Sequence, residues 1–316
     1  MSQAFREQQQ GYEVYGLRSA AVEVRVIPAL GAKVSSLISR RTGREWMWSP
    51  PGGASLHRNR TGDPFPESTL LGGDECIPTL APCRWRGRDL PDHGEVWTES
   101  WDAQIEAGAV VTRLRLPISP LTLERRVTLR DNRVQFDYTL VNLLPALYEY
   151  VWAFHPLLTI ADGDAFDVPC TQVRADLAFG GARSGWPHAV NHGDAIKLYT
   201  EDLTDGYAAI RNERRGEALV FEFDRRELPI VGLWINRGGW NGFQHVAIEP
   251  TSGAPDALTA AVQDWQRFAS VPGGGALRFT VNNNQASSKR KRSRKQHEAS
   301  KEESHPDEIV TRNQVP

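Results

Sequence analysis

Three titratable residues stand in contexts that would hold a side chain rigidly. His155 ends the run Trp152-Ala153-Phe154-His155 and is followed by Pro156. Glu249 ends Val246-Ala247-Ile248-Glu249 and is followed by Pro250. Pro removes a ladder donor and keeps the residue before it extended. Each side chain is therefore expected at the end of a strand. The third residue is His93, in Leu90-Pro91-Asp92-His93-Gly94-Glu95-Val96-Trp97, downstream of Gly72-Gly73-Asp74-Glu75-Cys76. The chemistry open to such a set is proton transfer. A histidine titrates near pH 6.5, and burial raises a glutamate toward neutrality. Together they supply an acid and a base at one pH. Aromatic faces beside such groups suit a sugar, and Trp152, Trp234 and Trp240 are candidates for that wall. Taken singly, each of these residues also has a plain structural explanation, as core, turn or surface.

Other chemistries lack their motifs. There is no G-x-S-x-G elbow, no Walker loop and no dinucleotide fingerprint. The eight His show no metal-binding spacing such as H-E-x-x-H. Pro272-Gly273-Gly274-Gly275 leads into the strand-like Leu277 to Val281, so it is expected to be a tight turn rather than a phosphate cradle.

The elements that must position these residues are strands. Val22, Val24 and Val26 alternate with Glu23 and Arg25. Val127 and Leu129, then Val134, Phe136, Tyr138 and Leu140, form two alternating runs around Asp131-Asn132, which predicts a hairpin. A second hairpin is expected between Leu30 and Trp48, turning at Arg41 to Arg44. Leu219, Phe221 and Phe223 continue the pattern. One short helix is expected from Pro255 to Trp265. Period-two patterns outnumber helical ones, which predicts an all-β chain, a sandwich or a barrel of antiparallel sheet.

Composition bounds the rest. The 316 residues carry a formal net charge of -2, with 40% apolar and 24% charged residues. Bulk electrostatics therefore gives no drive toward nucleic acid or a membrane surface. Three Cys are too few for a disulfide scaffold and suit a reducing compartment. The first residues lack the apolar run of a signal peptide, and no apolar stretch approaches a membrane span, so a cytoplasmic protein is expected. Residues 1–12 are expected to be flexible and 13–285 to form one domain. From 286 to 316 the chain is almost without apolar residues, basic first and then acidic, which predicts a disordered tail. Its Lys-Arg-Lys-Arg-Ser-Arg-Lys cluster is the one feature that would suit nucleic acid.

The order of hairpin, Gly-Gly-Asp-Glu, Leu-Pro-Asp-His-Gly-Glu-Val-Trp, Trp-x-x-His-Pro and Ile-Glu-Pro resembles the aldose 1-epimerase (galactose mutarotase-like) superfamily, in its less characterised bacterial branch. The resemblance spans roughly Glu13 to Val281. It implies a β-supersandwich of antiparallel sheets with few short helices and a sugar cleft on one concave face. It implies Glu249 as the base on the anomeric hydroxyl, His155 as the acid toward the ring oxygen, and His93 as a hydrogen-bonding group for the sugar. No cofactor and no metal is implied. The expected mechanism starts with Glu249 ionised and His155 protonated. The chain departs from the galactose mutarotases, which carry an Asn-Arg pair where Gly-Gly-Asp-Glu stands here. Asp74, Trp234, Asn236 and Arg84 are the expected additional substrate-binding residues, with Trp152. Asp202 and Asp205 are candidates for a substrate-binding Asp. The expected partner is a sugar or sugar phosphate, bound by a monomer or homodimer. The competing reading is a carbohydrate-binding or sensor protein on the same fold without catalysis.

Overall fold

The computed structural model describes residues 2–286. Two large antiparallel sheets carry the chain. The first has eleven strands. Its near half runs from Gln3–Gln9 at the edge through Tyr12–Arg18, Val22–Ile27 and Lys33–Ser39 to Gly73–Cys76. Its far half continues through Ala153–Pro156, Gln244–Thr251, Ile230–Arg237 and Ala195–Thr200 to Gln172–Ala175 and Arg183–Gly185. The second sheet has eight strands, with Ala276–Ala286, Arg133–Asn142 and Leu121–Arg130 at its centre. Phe136 of the second sheet and Phe154 of the first meet with ring centroids 5.7 Å apart, so the core lies between the sheets. The all-β sandwich expected from the alternation is the fold observed.

The predicted hairpin forms with two residues at its tip. Leu121–Arg130 pairs with Arg133–Asn142 along its full length, and Asp131 takes φ 52° at the turn. Its inward positions are the predicted Val127, Leu129, Val134, Phe136, Tyr138 and Leu140, all buried. The second hairpin is only half regular. Lys33–Ser39 is a strand, but Glu45 returns as a single bridge to Ile38, and Trp48 donates instead to Leu157 O. The helical turn starts later than expected, at Leu258, and ends at Trp265. Residues before it are held by the 79–81 loop: Leu80 N and Ala81 N donate to Asp256 O, and Leu258 N to Thr79 Oγ1.

Residues 1–12, expected to be flexible, include an edge strand. Gln3–Gln9 pairs with Tyr12–Arg18 through a turn at Gln10-Gly11. Gly16 leaves room for the Phe5 ring, which a Cβ there would strike at 2.1 Å, and Arg18 lies over the same ring. An edge strand buries one face thinly, so its sequence has no apolar run to betray it. The predicted tail lies outside the described residues, except that the last strand reaches Ala286. Among the described residues no helix is long and apolar enough to cross a membrane.

Candidate active site

Strand register assembles the site. His155 pairs with Asp74 on one side. On the other, Ala153 pairs with Thr251, so two residues along each antiparallel strand His155 comes opposite Glu249. Glu249 pairs with Gly232, and Gly232 with Tyr199. Alternate residues face one side of a sheet. Asp74, His155, Glu249 and Tyr199 therefore form one row across neighbouring strands, on the face away from the second sheet. The next row holds Trp234 beside Lys197.

A cleft of about 330 Å³ opens above this row. His155, Lys197 and Asp256 line its floor, and Phe65, His93, Trp234, Trp240 and His245 its walls. Phe65 stacks on His93 at 3.8 Å and 7°. His93 meets His155 edge to face at 5.3 Å. Its backbone has φ 58°, and Gly94 follows at φ 74°, where a Cβ would lie 2.2 Å from Ile77 O. That close approach is the physical content of the His-Gly pair. A larger and more open groove, about 910 Å³, lies on the second sheet around Asp205, Asp224 and Arg278 and includes neither His155 nor Glu249.

Glu249 is fully buried. Its Oε2 accepts from Lys197 Nζ at 2.5 Å, while Oε1 has no hydrogen-bond partner and lies 3.5 Å from His155 Nε2. Lys197 also approaches Asp256 Oδ1, at 3.7 Å. Gly232 lies between Glu249 and Tyr199 in the row, where a Cβ would sit 3.3 Å from Glu249 Cβ and from the Tyr199 ring.

The charges follow. Burial pushes the Glu249 carboxyl above its ordinary range, and Lys197 opposes the shift. The Lys197 ammonium is held well above its usual range; burial opposes this, but Asp256 and Glu249 outweigh it. Burial, then the Lys197 charge, pushes His155 well below 6.5. These shifts favour the neutral imidazole of His155 beside the Lys197–Glu249 pair, against the protonated His155 expected from the sequence. His245 is lowered to about 4 by burial. Its Nε2 accepts from Trp234 Nε1 at 3.1 Å, and Trp can only donate, so neutral His245 carries its proton on Nδ1.

Of the expected site residues, His155, His93 and Trp234 line one cleft, and Glu249 lies buried behind it against His155 and Lys197. Asp74 is in the row but is occupied: Lys33 Nζ contacts both its oxygens at 2.5 and 2.6 Å, and both side chains are buried. Three expectations need correction. Trp152 is not a cleft wall. It differs from His155 by an odd number of positions, so it faces the other side, packs on Tyr138 and Phe279 and donates to Glu75 Oε2. Asn236 is on the face of Trp234 but is buried and does not line the cleft. Its side chain bonds Trp240 O, Gly238 N and Trp240 N, fixing the loop that carries Trp240. Arg84 is an exposed residue of the short hairpin 83–90, paired with Asp89. Nor do Asp202 and Asp205 reach the cleft. Asp202 caps the Thr171 and Gln172 backbone, and the carboxylate beside Glu249 is Asp256.

Lys197, Asp256, Phe65 and His245 were missed. Lys197 gave one signal, a charged residue at an inward position of the strand Ala195–Thr200. Phe65 and Asp256 lie in loops, where no period marks a facing residue.

No protein-family model matches the sequence, and no curated protein matches it. Solved structures do match its fold. A galactose mutarotase related enzyme from Lactobacillus acidophilus superposes with a TM-score of 0.66 at 18% identity, over 87% of this chain and 98% of that one. A galactose mutarotase-like protein from Clostridium acetobutylicum gives 0.67 at 11% identity, over 90% and 98%. One from Lactobacillus casei gives 0.63 at 16%, over 86% and 99%. The chain shares the fold of these galactose mutarotase-like structures. Within this mutarotase-like sandwich the cleft described above lies on the outer face of the larger sheet, with its row of charged side chains crossing the central strands.

Proposed function

We propose that the chain is an isomerase of the aldose 1-epimerase type, interconverting the α and β anomers of an aldose through the open-chain aldehyde. The observation that carries this reading is the free Oε1 of Glu249, buried directly behind the floor of an aromatic cleft and 3.5 Å from Nε2 of His155, which lines that floor. A buried carboxylate oxygen with no partner is costly, and a hydroxyl donor relieves that cost. Glu249 Oε1 takes the proton of the anomeric hydroxyl. His155 hydrogen-bonds the same end of the sugar, and Trp234, Trp240 and Phe65 hold its C-H faces. The cleft volume suits a monosaccharide.

Lys197 on Glu249 is the observation that favours the alternative, a sugar-binding protein without catalysis, because it engages one oxygen of the base. Exchange NMR of the anomeric protons separates the two over a panel of free and 6-phosphorylated aldoses. The isomerase reading expects faster anomer exchange with at least one sugar, reduced about 10²-fold or more in Glu249→Gln. Line broadening without faster exchange would leave only the binding reading.

A further inference from the structure

We propose that Lys197 is the proton donor of ring opening, giving an Nζ proton to the ring oxygen while Glu249 takes the anomeric proton. This rests on the anomer-exchange reading of the site.

Ring opening needs two groups. One removes the O1 proton; the other meets the negative charge that develops on O5 as the C1–O5 bond breaks. Lys197 is the single Lys or Arg among the described residues that line the cleft. It is buried, with a side chain 5% exposed, and its Nζ touches the oxygen of Glu249 that the substrate does not need. The division of the carboxylate is the central point: Oε2 holds the donor, and Oε1 is left for the acceptor role. Both ends of a hemiacetal can thus be served from one side of the floor. His155 meets Glu249 through the other oxygen and is kept neutral by burial and by the lysine itself. A neutral imidazole that gave up a proton would become an imidazolate, so His155 serves as a hydrogen-bonding group.

The charged and titratable groups facing Lys197 come from every neighbouring element: Glu249, Asp256, Tyr199, His155, His93 and Cys76. Asp256, which also accepts from Tyr199 Oη, supplies a second negative neighbour. The ammonium is a weak acid in this setting. The negative charge that develops on O5 as the C1–O5 bond breaks is what draws the proton from it.

The step balances. The O1–H proton passes to Glu249 Oε1, C1=O1 forms, the C1–O5 electron pair goes to O5, and O5 takes the Nζ proton. Glu249 becomes a neutral acid and Lys197 a neutral amine, so the net charge of the dry floor does not change. After rotation about C1–C2 the two transfers reverse, and both groups return to their starting states.

The test is anomer-exchange NMR on the full chain with the sugar that the wild type turns over, across pH 6 to 9. The variants are Lys197→Arg, Lys197→Met and His155→Asn, each with sugar affinity measured by titration. Lys197→Arg decides, because arginine keeps the charge and the contact with Glu249 but does not release a proton in proteins. The expectation is a fall of about 10²-fold or more in exchange rate for both lysine variants, with sugar still bound by Lys197→Arg. The wild-type rate should not fall as pH rises through the ordinary histidine range, about 6 to 7. Near-wild-type exchange in Lys197→Arg would overturn the proposal, reducing Lys197 to a fixed charge. So would a rate that declines with pH through that range and loses the decline in His155→Asn. Wild-type protein that speeds exchange of no sugar would sink the isomerase reading itself, an outcome distinct from both.

Discussion

Two buried acid-base clusters lie on opposite faces of the larger sheet, and both carboxylates have zero exposure. Between the sheets, both Glu75 oxygens are occupied, Oε1 accepting from Arg125 and Tyr138, both at 2.8 Å, and Oε2 from Trp152 Nε1 at 3.0 Å, which leaves Arg125 Nε as the unpartnered group of that cluster. Arg125 in turn donates to Ala32 O. On the cleft face, Glu249 is held through one oxygen only, and His155 Nδ1 and His245 Nδ1 also lack hydrogen-bond partners. A saturated buried carboxylate fixes structure, because any change leaves a charge uncompensated. An unsaturated one keeps capacity to bind. Burial and ion pairing alone do not distinguish a site from a strut; the number of lone pairs left over does.

The largest effect that would break this contrast is on Arg125. Arg125→Met strands the Glu75 carboxylate and should cost about 3–5 kcal/mol in urea unfolding. Adding Glu75→Gln, which keeps an acceptor for Trp152 and Tyr138 but removes the charge, should recover most of it. A mild single variant would show that the inter-sheet cluster is not the strut described.

The next effect is pH-linked. His245 titrates near 4 in the folded protein against about 6.5 unfolded. Between those values the unfolded chain binds the extra proton, so stability falls as pH drops from about 6.5 to 4 and levels off below. This residue's share is roughly 3 kcal/mol. His245→Gln should make the fall shallower by that share. Parallel curves for wild type and variant would rule out a neutral His245. His155, lowered for similar reasons, contributes in the same direction.

The smallest effect is the most useful check on the cleft's boundary. Arg84 pairs with Asp89 at the surface and lies outside the cleft. Arg84→Ala should shift stability by no more than about 0.5 kcal/mol and leave sugar turnover unchanged. A selective loss with a 6-phosphorylated sugar would bring that hairpin back into the site.

Much of this was legible in the sequence. Alternation marked the inward faces of the hairpin 121–142, and the His-Pro and Glu-Pro pairs marked two strands of the site. The odd spacing between Trp152 and His155 already placed them on opposite faces, although the aromatic context suggested a shared wall. Pro250 was less informative than it looked: the strand continues through it to Thr251, paired on one side with Val231.

By itself the sequence determined the alternating strands, their facing residues and the strand-borne Glu249 and His155, because period-two burial is a local property of the chain. Which strands lie side by side was decided only by the tertiary structure. Lys197 meets Glu249 at a sequence separation of 52, and Asp74 meets Lys33 at 41. Those pairings set which carboxylates are satisfied and which oxygen remains open. They also set the protonation of His155, since a pKa depends on burial and on charges brought close by folding.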